Sequence, residues 1–376
     1  MNFSTTEEQQ LLRDSLARFL TKDYDFEARR AAIRSPEGFS RAAWKTLAEM
    51  GILGLQFPED CGGFGGSSVD VMLVMQALGN GLVVEPYLAT VVLGGSAVAL
   101  GGSAAQKQAL LPRVAAGELL LALAHYEPHA RYDLYDVTAS AMLSASGEFI
   151  LNGAKAVVLH GGCADRFIVS ARTSADESVS LFIVDRSAPG VAVRDYRTID
   201  GLRAADVTFT NVKLTAEALL GERDRGWDLI ERVIDRGVAA LCAEAVGVME
   251  TLNAQTFEYL KTRQQFGQPI GRFQVLQHRA VDMMIHYEQS KSMAILAAMQ
   301  AGAEDRVAAS RGISAAKVHI GRSGRAVAQA AIQLHGGMGV TDELPASHYA
   351  KRLTMIDFML GDAEYHLDRM IARSGA

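Results

Sequence analysis

Cysteine is scarce in this chain, and its three thiols form no pattern that indicates a disulfide framework or a metal centre. Cys61, Cys163 and Cys242 are odd in number and far apart among 376 residues. A secreted scaffold held by disulfides and a Cys-x-x-Cys redox or metal site are therefore not expected. We predict a protein of a reducing compartment, the cytoplasm, without a bound metal.

An excess of positive charge and a long apolar run are also missing. Lysine and arginine number 37 against 43 aspartates and glutamates, a formal net charge of -6. Nucleic-acid binding needs clustered cations, so we expect no nucleic-acid partner. The first ten residues are polar and acidic, and no later apolar run is long and uninterrupted, so we expect no membrane insertion. The content of 49% hydrophobic and 21% charged residues is typical of a globular protein with a large core.

The periodicity of the apolar residues changes twice along the chain. In residues 1–118, apolar positions at helical spacing and glycine stops predict a small helical domain. In residues 119–222, short β-branched and aromatic runs between turn residues predict a middle β domain, a compact barrel or sandwich. Residues 223–376 carry long apolar-periodic segments that predict a four-helix bundle, so the expected fold class is α+β. The predicted bundle helices are 227–263, 274–301, 305–335 and 345–373.

The most informative motif is the run Arg263–Gln274, between the first two bundle helices. It combines an arginine, an aromatic ring at Phe266, a glycine turn and a glutamine. A guanidinium and an amide bind phosphate oxygens, and a ring offers a stacking surface. The run therefore predicts part of a dinucleotide site.

Three separated motifs resemble those of the acyl-CoA dehydrogenase family. The run Arg263–Gln274 resembles the family signature R-x-x-F-G-x-P-I-G-x-F-Q. The run Pro58–Gly65 resembles the family's P-E-x-x-G-G-x-G loop, and Gln333–Gly339 resembles its Q-x-x-G-G-x-G loop. Three motifs in the family's order, over nearly the whole chain, are a specific signal, whereas a single glycine pair is an ordinary turn.

The resemblance implies a fold, a cofactor and a reaction. The fold is an N-terminal α-helical domain, a middle β-barrel domain and a C-terminal four-helix bundle, and the cofactor is FAD. The reaction removes two hydrogens across the α and β carbons of an acyl-CoA thioester and gives a trans-2-enoyl-CoA, as in fatty acid or dicarboxylic acid degradation. Electron-transfer flavoprotein is the implied electron acceptor, and the implied assembly is a homo- or hetero-tetramer. Because the α proton is weakly acidic, such a site needs a positioned base and donors on the thioester oxygen.

The base of the common family pattern is missing. The glutamate expected before a glycine in the last bundle helices falls on Leu360, before Gly361. Leucine cannot accept a proton, but its backbone N–H can polarise a thioester oxygen.

Other family members place the base on the first bundle helix, before a substrate-contacting arginine, and these positions correspond to Asp235 and Arg236. The alternative for Asp235 is a solvated helix charge paired with a neighbouring arginine. Asp362 is a further candidate base, and its alternative is an acid on a helix surface.

The residues implied as flavin contacts form two groups. The loop that would hold this subunit's own isoalloxazine ring departs from the family's T-E-P-G-A-G-S-D pattern, because Tyr126–Asp133 keeps Glu127 but loses the glycines. The W-I-T-N-G strand end appears as Val157–Gly161, where His160, together with His125, either replaces polar contacts or serves a structural purpose. The motifs that reach across a dimer interface to the partner subunit's FAD are intact: Arg263, Phe266, Gln274, Gln333, Gly336 and Gly337.

Alternative mechanisms follow from this difference. In the first, the chain is a working acyl-CoA dehydrogenase with Asp235 as a variant base. In the second, it is a non-catalytic partner subunit that completes the FAD site of another chain, and the runs Asp14–Leu20 and Glu85–Tyr87 resemble pimeloyl-CoA dehydrogenase small subunits. Flavin oxidases and monooxygenases share this fold and are a third alternative, because a fold does not fix a reaction.

Overall fold

A computed structural model of the chain describes residues 6–174 and 178–373. The expected order of helices, then strands, then long helices is confirmed. The helices are α1 (Glu7–Lys22), α2 (Phe26–Arg34), α3 (Arg41–Glu49), α4 (Ser68–Asn80), α5 (Ser96–Gly101), α6 (Ala104–Ala115), α7 (Gly226–Thr262), α8 (Gln274–Ala301), α9 (Arg306–His335), α10 (Pro345–Phe358) and α11 (Ala363–Ala372). The strands are β1 (Leu121–Ala124), β2 (Ser140–Leu143), β3 (Phe149–Leu159), β4 (Arg166–Arg172), β5 (Val179–Asp185), β6 (Val191–Arg197), β7 (Arg203–Leu214), β8 (Leu219–Leu220), β9 (Gln264–Gln265) and β10 (Gln268–Pro269).

The chain folds as two compact units that each combine distant segments. The helical unit contains the residues up to Arg30, Ser67–Val83 and the residues from Val238 onward. The mixed unit contains Ala31–Gly66 and Val84–Gly237. Helix α7 begins in the mixed unit and ends in the helical unit. Each unit therefore has its own core built from segments that are far apart in sequence.

The core of the helical unit is built around close contact between α4 and α7. A Cβ atom added to Gly247 would lie 1.9 Å from the carbonyl oxygen of Gln76, and one added to Gly79 would lie 2.2 Å from that of Glu244. Only glycine allows the two backbones to approach so closely. A buried ion pair lies beside this crossing, where Arg352 Nε donates to Glu244 Oε1 at 2.5 Å.

The middle of the chain forms an eight-stranded sheet in the mixed unit, which confirms the predicted β domain. The strand order is β6-β7-β3-β2-β4-β5-β8, and β1 pairs with β4 in parallel. The sheet buries an apolar cluster that includes Phe167, Phe182 and Phe209. The register of β3 against β7 shifts between Lys155 and Val158, and this bulge lies beside the expected flavin loop.

The helix predicted for the segment before residue 100 begins with π-helical geometry. The π-helical segment is Leu88–Gly95, and α5 continues from it. A Cβ added to Gly94 would lie 2.5 Å from the Cβ of Leu121 in β1. The absence of a side chain thus lets this segment approach the sheet closely.

The last predicted helix, 345–373, is broken into α10 and α11. The chain leaves α10 at Phe358 and takes left-handed backbone geometry at Leu360 and Gly361, with φ of +56° and +105°. Asp362 then caps the N-terminus of α11, accepting a hydrogen bond from Tyr365 N at 2.9 Å. Apolar periodicity continues across this turn, so it predicts one helix where the structure has two.

One helix passes a length and hydropathy test for a membrane span, although none was expected from the sequence. This is α7, with an 18-residue window of mean hydropathy 1.2. That window is 83% buried inside the protein. Its apolar surface is therefore covered by protein, as in a core helix.

Candidate active site

The run Arg263–Gln274 forms a hairpin at the end of α7. Strands β9 and β10 pair antiparallel, with Gln265 opposite Gln268. The two residues between them, Phe266 and Gly267, both have positive φ, +54° and +75°. Positive φ at both central positions is the geometry of a type I′ turn. The sequence predicted a corner between two helices but not this hairpin.

The hairpin and the predicted glycine loop after α9 are brought close to each other by a ring contact. The rings of Tyr259, in α7, and His335, in α9, have centroids 4.5 Å apart. Tyr259 Oη also donates to the His335 carbonyl oxygen at 3.5 Å. Arg263 follows Tyr259 by one helical turn, and Gly336 follows His335 directly. Two motifs separated by about seventy residues in the chain therefore share one region of the helical unit.

The predicted nucleotide contacts of this region are presented on the surface. Phe266 is 91% exposed, and its ring lies edge-on to the ring of Phe273, with 6.1 Å between centroids. A Cβ added to Gly336 or Gly337 would meet nothing within 4 Å. The other predicted contacts, Arg263, Gln274 and Gln333, are exposed as well. A cation, a ring, amides and open backbone in one exposed area fit the adenine and pyrophosphate end of a dinucleotide.

The loop after β1 is held by a buried ion pair at Glu127. Lys155 Nζ donates to Glu127 Oε1 at 2.7 Å, and the backbone N–H groups of Thr138 and Ala139 donate to the same carboxylate at 2.9 and 3.0 Å. Burial alone would raise the pKa of Glu127, but Lys155 and these hydrogen bonds outweigh it and lower that pKa. Burial lowers the pKa of Lys155 to about 8, against the attraction of Glu127. The Glu127 side chain thus anchors the loop, and its oxygens are directed inward.

His125 belongs to the same buried network. Its Nδ1 lies 2.9 Å from Ser170 Oγ, and Lys155 Nζ donates to its carbonyl oxygen at 3.0 Å. Burial lowers the pKa of His125 to about 3, so the ring is neutral at physiological pH. The structure therefore places His125 in a structural role, which was one of the two interpretations of the sequence.

The end of β3 has unusual backbone geometry. Val157 and His160 have φ of +52° and +50°. A β-branched residue rarely adopts positive φ, and such strain is found preferentially at functional sites. Val157 is 53% exposed at the bulge, whereas His160 is buried. Two positions that correspond to the family's W-I-T-N-G pattern therefore have a strained backbone, although their side chains differ from that pattern.

Asp235 and Arg236 lie in α7, within the mixed unit. Asp235 is only 1% exposed, so the interpretation as a solvated helix charge is wrong. The neighbouring Arg232 pairs instead with Asp228, at 3.7 Å. Arg236 is partly buried, and its guanidinium lies 3.5 Å from Ser96 Oγ. A buried carboxylate beside a partly buried arginine is compatible with a proton acceptor and an anion contact.

Leu360 lies at the tip of the turn between α10 and α11. Its carbonyl oxygen accepts from His366 Nε2 at 2.9 Å, and burial lowers the pKa of His366 to about 3. Lys317, from α9, points its ammonium at the carbonyl end of α10. The interpretation of Asp362 as a base loses support, because its carboxylate caps α11. A leucine in left-handed geometry costs roughly 1 kcal/mol, and His366 and Lys317 hold the turn that imposes it.

Sequence reasoning missed the residues that hold these loops. Lys155 and Lys317 lie between alanines and valines, in Ala154-Lys155-Ala156 and Ala316-Lys317-Val318. A lone lysine on the apolar face of a strand or helix is the signal that would have found them, since an unpaired buried cation is costly. Tyr259 and His366 carry no comparable signal.

No cluster of three or more His, Cys, Asp or Glu side chains that could hold a metal is present in residues 6–174 and 178–373. The three cysteines are free thiols. Burial raises the pKa of Cys163 and of Cys242 to about 12, which keeps both protonated. Neither is therefore a reactive thiolate at neutral pH.

Comparison with known proteins gives a match over nearly the whole chain. Residues 6–118 match the acyl-CoA dehydrogenase N-terminal domain, 122–212 the middle domain and 224–375 the C-terminal domain. A probable acyl-CoA dehydrogenase of Bacillus subtilis is 27% identical over 380 residues, covering 99% of this chain and 98% of that protein.

Two solved structures share the fold along their full length. Butyryl-CoA dehydrogenase from Megasphaera elsdenii is 26% identical with a TM-score of 0.91, and 100% of each chain is covered. A chain of the ChsE4-ChsE5 complex from Mycobacterium tuberculosis is 28% identical with a TM-score of 0.90, covering 100% of this chain and 99% of that one.

Proposed function

The chain belongs to the acyl-CoA dehydrogenase family, and from that premise we propose how its own residues carry the reaction. It is an FAD-dependent acyl-CoA dehydrogenase, an oxidoreductase that acts on CH–CH donors. The observation that carries this proposal is the exposed region in which Tyr259 and His335 unite two dinucleotide motifs. We place the domain boundaries at 1–118, 119–222 and 223–376.

The proposed chemistry uses a buried acid and a backbone donor. Asp235 accepts the α proton of the acyl thioester, and Arg236 contacts the substrate beside it. The Leu360 N–H donates to the thioester oxygen and stabilises the negative charge that develops there. When bound, FAD would supply the acceptor for the β hydrogen, which would leave the substrate as hydride. Burial of Asp235 supports this role, since a carboxylate from which water is excluded does not lose basicity to solvation.

The residues proposed to hold FAD differ in how they act. Arg263, Gln274 and Gln333 supply charge and amides for a pyrophosphate, and Phe266 supplies a ring, on an exposed surface that suits a partner subunit's cofactor. Gly336 and Gly337 leave room for the close approach of a ligand to the backbone. Within the mixed unit, Glu127 acts by fixing the loop from inside, while His160 shapes the strand end.

We also propose that the chain works in a hetero-tetramer, as a subunit of the pimeloyl-CoA dehydrogenase small-subunit type. The leucine at the usual base position and the inward-facing carboxylate of Glu127 support a chain that relies on a second subunit. The similar ChsE4-ChsE5 structure is a complex of two differently named chains. Electron-transfer flavoprotein is the proposed electron acceptor, and the proposed location is the cytoplasm.

Replacing Asp235 with asparagine tests the base. We expect kcat to fall by about 10²- to 10⁴-fold, because the amide cannot take the α proton, while the flavin absorbance of the purified protein is unchanged. Asp228→Asn is the matched control, since Asp228 is an exposed acid in the same helix, and its turnover should stay within about twofold. Turnover that survives Asp235→Asn with FAD bound would instead support the non-catalytic partner, with the base in a copurifying chain.

A further inference from the structure

Lys317 is a fully buried lysine whose ammonium donates to backbone carbonyls. Its Nζ donates to the carbonyl oxygens of Asp357 and Met359 at 3.0 Å each, and also to that of Ile356. These are the last carbonyls of α10 and of the turn that follows. A cation at the carbonyl end of a helix is favoured by the helix dipole. The lysine thus joins the middle of α9 to the turn that carries Leu360.

The contact with Met359 has a direct consequence for Leu360. The carbonyl of Met359 and the N–H of Leu360 belong to the same peptide group. No peptide bond of the described chain is cis, so the N–H points away from the carbonyl, and hence away from Lys317. The next carbonyl, that of Leu360, is held by His366 at 2.9 Å. Two side chains from two helices therefore fix the orientation of both peptide groups around Leu360.

The Leu360 N–H makes no backbone hydrogen bond within the described residues. Across residues 6–174 and 178–373, no backbone acceptor lies within hydrogen-bond reach of it. A donor within a well-packed turn that has no backbone partner is a natural place for an external acceptor to bind. The left-handed φ of Leu360, +56°, is the backbone geometry that presents it.

We propose that Lys317 is a positioning residue for catalysis, which aims and strengthens the Leu360 N–H as a donor to the thioester oxygen. A charged donor on the carbonyl of a peptide group polarises that group and makes its N–H a stronger donor. Lys317 therefore acts through the peptide group and does not touch the substrate. This inference rests on the proposed function, because it assumes that the thioester oxygen binds at Leu360.

The charge of Lys317 changes within an accessible pH range. Burial lowers the pKa of Lys317 to about 8, so the ammonium loses its proton as pH rises through that value. A neutral amine still donates to the carbonyls, but more weakly than an ammonium does. The polarisation of the thioester should therefore decrease above about pH 8. The titratable and charged groups around Lys317 are Cys242 on α7, Arg352 and Asp357 on α10, Asp362 at the start of α11 and His366 on α11.

The test measures the bound thioester directly, by the infrared stretch of a ¹³C-labelled thioester carbonyl. The probe is the straight-chain acyl-CoA that most raises the melting temperature of the holoenzyme, purified with any copurifying subunit. In the wild-type protein we expect the stretch to move to lower wavenumber on binding, because the oxygen accepts a hydrogen bond. In Lys317→Met we expect at least about half of that shift to disappear and kcat to fall about tenfold, with KM changing much less.

The controls separate this inference from the function on which it rests. Val327→Ala removes buried methyl groups from the same helix, and its carbonyl shift should equal that of the wild type. No shift in the wild type would overturn the proposed thioester site at Leu360 and this inference with it. A shift that is equal in wild type and Lys317→Met would overturn the role of Lys317 alone.

A second measurement needs no substitution and covers a variant that fails to fold. The wild-type carbonyl shift should shrink as pH is raised from about 7 to about 9, following the pKa of Lys317 near 8. A shift that is constant over this range contradicts the proposal. Lys317→Gln, which keeps amide donors without charge, should show a shift between those of wild type and Lys317→Met.

Discussion

The loop after β1 and the turn between α10 and α11 are each held by one buried lysine, but the partners differ. Lys155 meets the carboxylate of Glu127 at 2.7 Å. Lys317 meets carbonyl oxygens of the α10 end. Both loops have lost side chains or glycines of the family pattern at their tips, and both keep a rigid anchor beneath. The comparison teaches that a loop whose usual family side chains are absent can still be fixed from beneath by a buried lysine, which is consistent with function through backbone N–H groups.

The two anchors also differ in what their removal leaves behind. Without Lys155, a carboxylate stays buried without its cation, and an uncompensated buried charge is strongly destabilising. Without Lys317, neutral carbonyl dipoles lose a donor, and the penalty is that of unsatisfied polar groups. The first loss should therefore be larger than the second.

The largest effect is expected for Lys155→Met. We predict a decrease of about 3–5 kcal/mol in the free energy of unfolding, measured by urea denaturation, because Glu127 is left unpaired. Lys213→Met, at an exposed position of β7 in the same sheet, is the control and should change stability by less than about 0.5 kcal/mol. Adding Glu127→Gln to Lys155→Met should restore part of the loss, since it removes the stranded charge. If Lys155→Met resembles its control, the ion pair is not the anchor of this loop.

A smaller and pH-dependent effect is expected for Lys317→Met. At neutral pH we predict a loss of about 2 kcal/mol, from buried carbonyls left without a donor. Burial lowers the pKa of Lys317 from 10.5 to about 8, so between these values the unfolded chain holds a proton that the folded chain does not. This difference in bound protons raises the free energy of unfolding of the wild type as pH rises. The variant has no ionisable side chain at this position, so its stability lacks this pH dependence. The difference between the two proteins should therefore grow by about 1 kcal/mol from about pH 7.5 to about pH 9.

The opposite pH trend would contradict that assignment. If the stability difference shrinks over this range, burial does not lower the pKa of Lys317, and the lysine is stabilised as an ammonium. Denaturation curves of both proteins at three pH values decide between these outcomes.

The smallest effect on stability is expected in the exposed region of Phe266 and Gly337. Gly337→Ala places its methyl group in open space, so the unfolding free energy of the flavin-free protein should change by less than about 0.5 kcal/mol. The same variant should retain less FAD after gel filtration, because the methyl group occupies the approach of the ligand. In Gly247→Ala the added Cβ would lie 1.9 Å from the Gln76 oxygen, so this control should lose stability instead. Full FAD retention in Gly337→Ala would remove this glycine from the cofactor site.

The periodicity of apolar residues was sufficient to predict an element wherever one period runs through its whole length. The predicted helix 274–301 coincides with α8, and 305–335 coincides with α9 together with its cap Asp305. The resemblance motifs were likewise local, and two of them lie together in the exposed region that is proposed to bind the nucleotide. The strand β1 and the helix α2 were missed, because each is too short for its apolar residues to show a clear period.

The surroundings of the proposed catalytic positions depend on long-range contacts. The apolar period runs through 345–373, yet His366 and Lys317 stabilise a break at Leu360. The burial of Asp235 could not be read from its neighbours in sequence, because a helix charge is exposed or buried according to what packs on it. The sequence therefore proposes those positions as candidates but does not describe their environment.

The sequence alone determined the family and the order of helical and β segments, because these depend on periodicity and on short motifs. Only the tertiary structure decided which charges are buried, which lysine holds which loop and where the last helix breaks. The physical reason is that burial, ion pairing and the orientation of a peptide group are set by atoms from segments far apart in the chain. Local sequence does not specify how such segments meet.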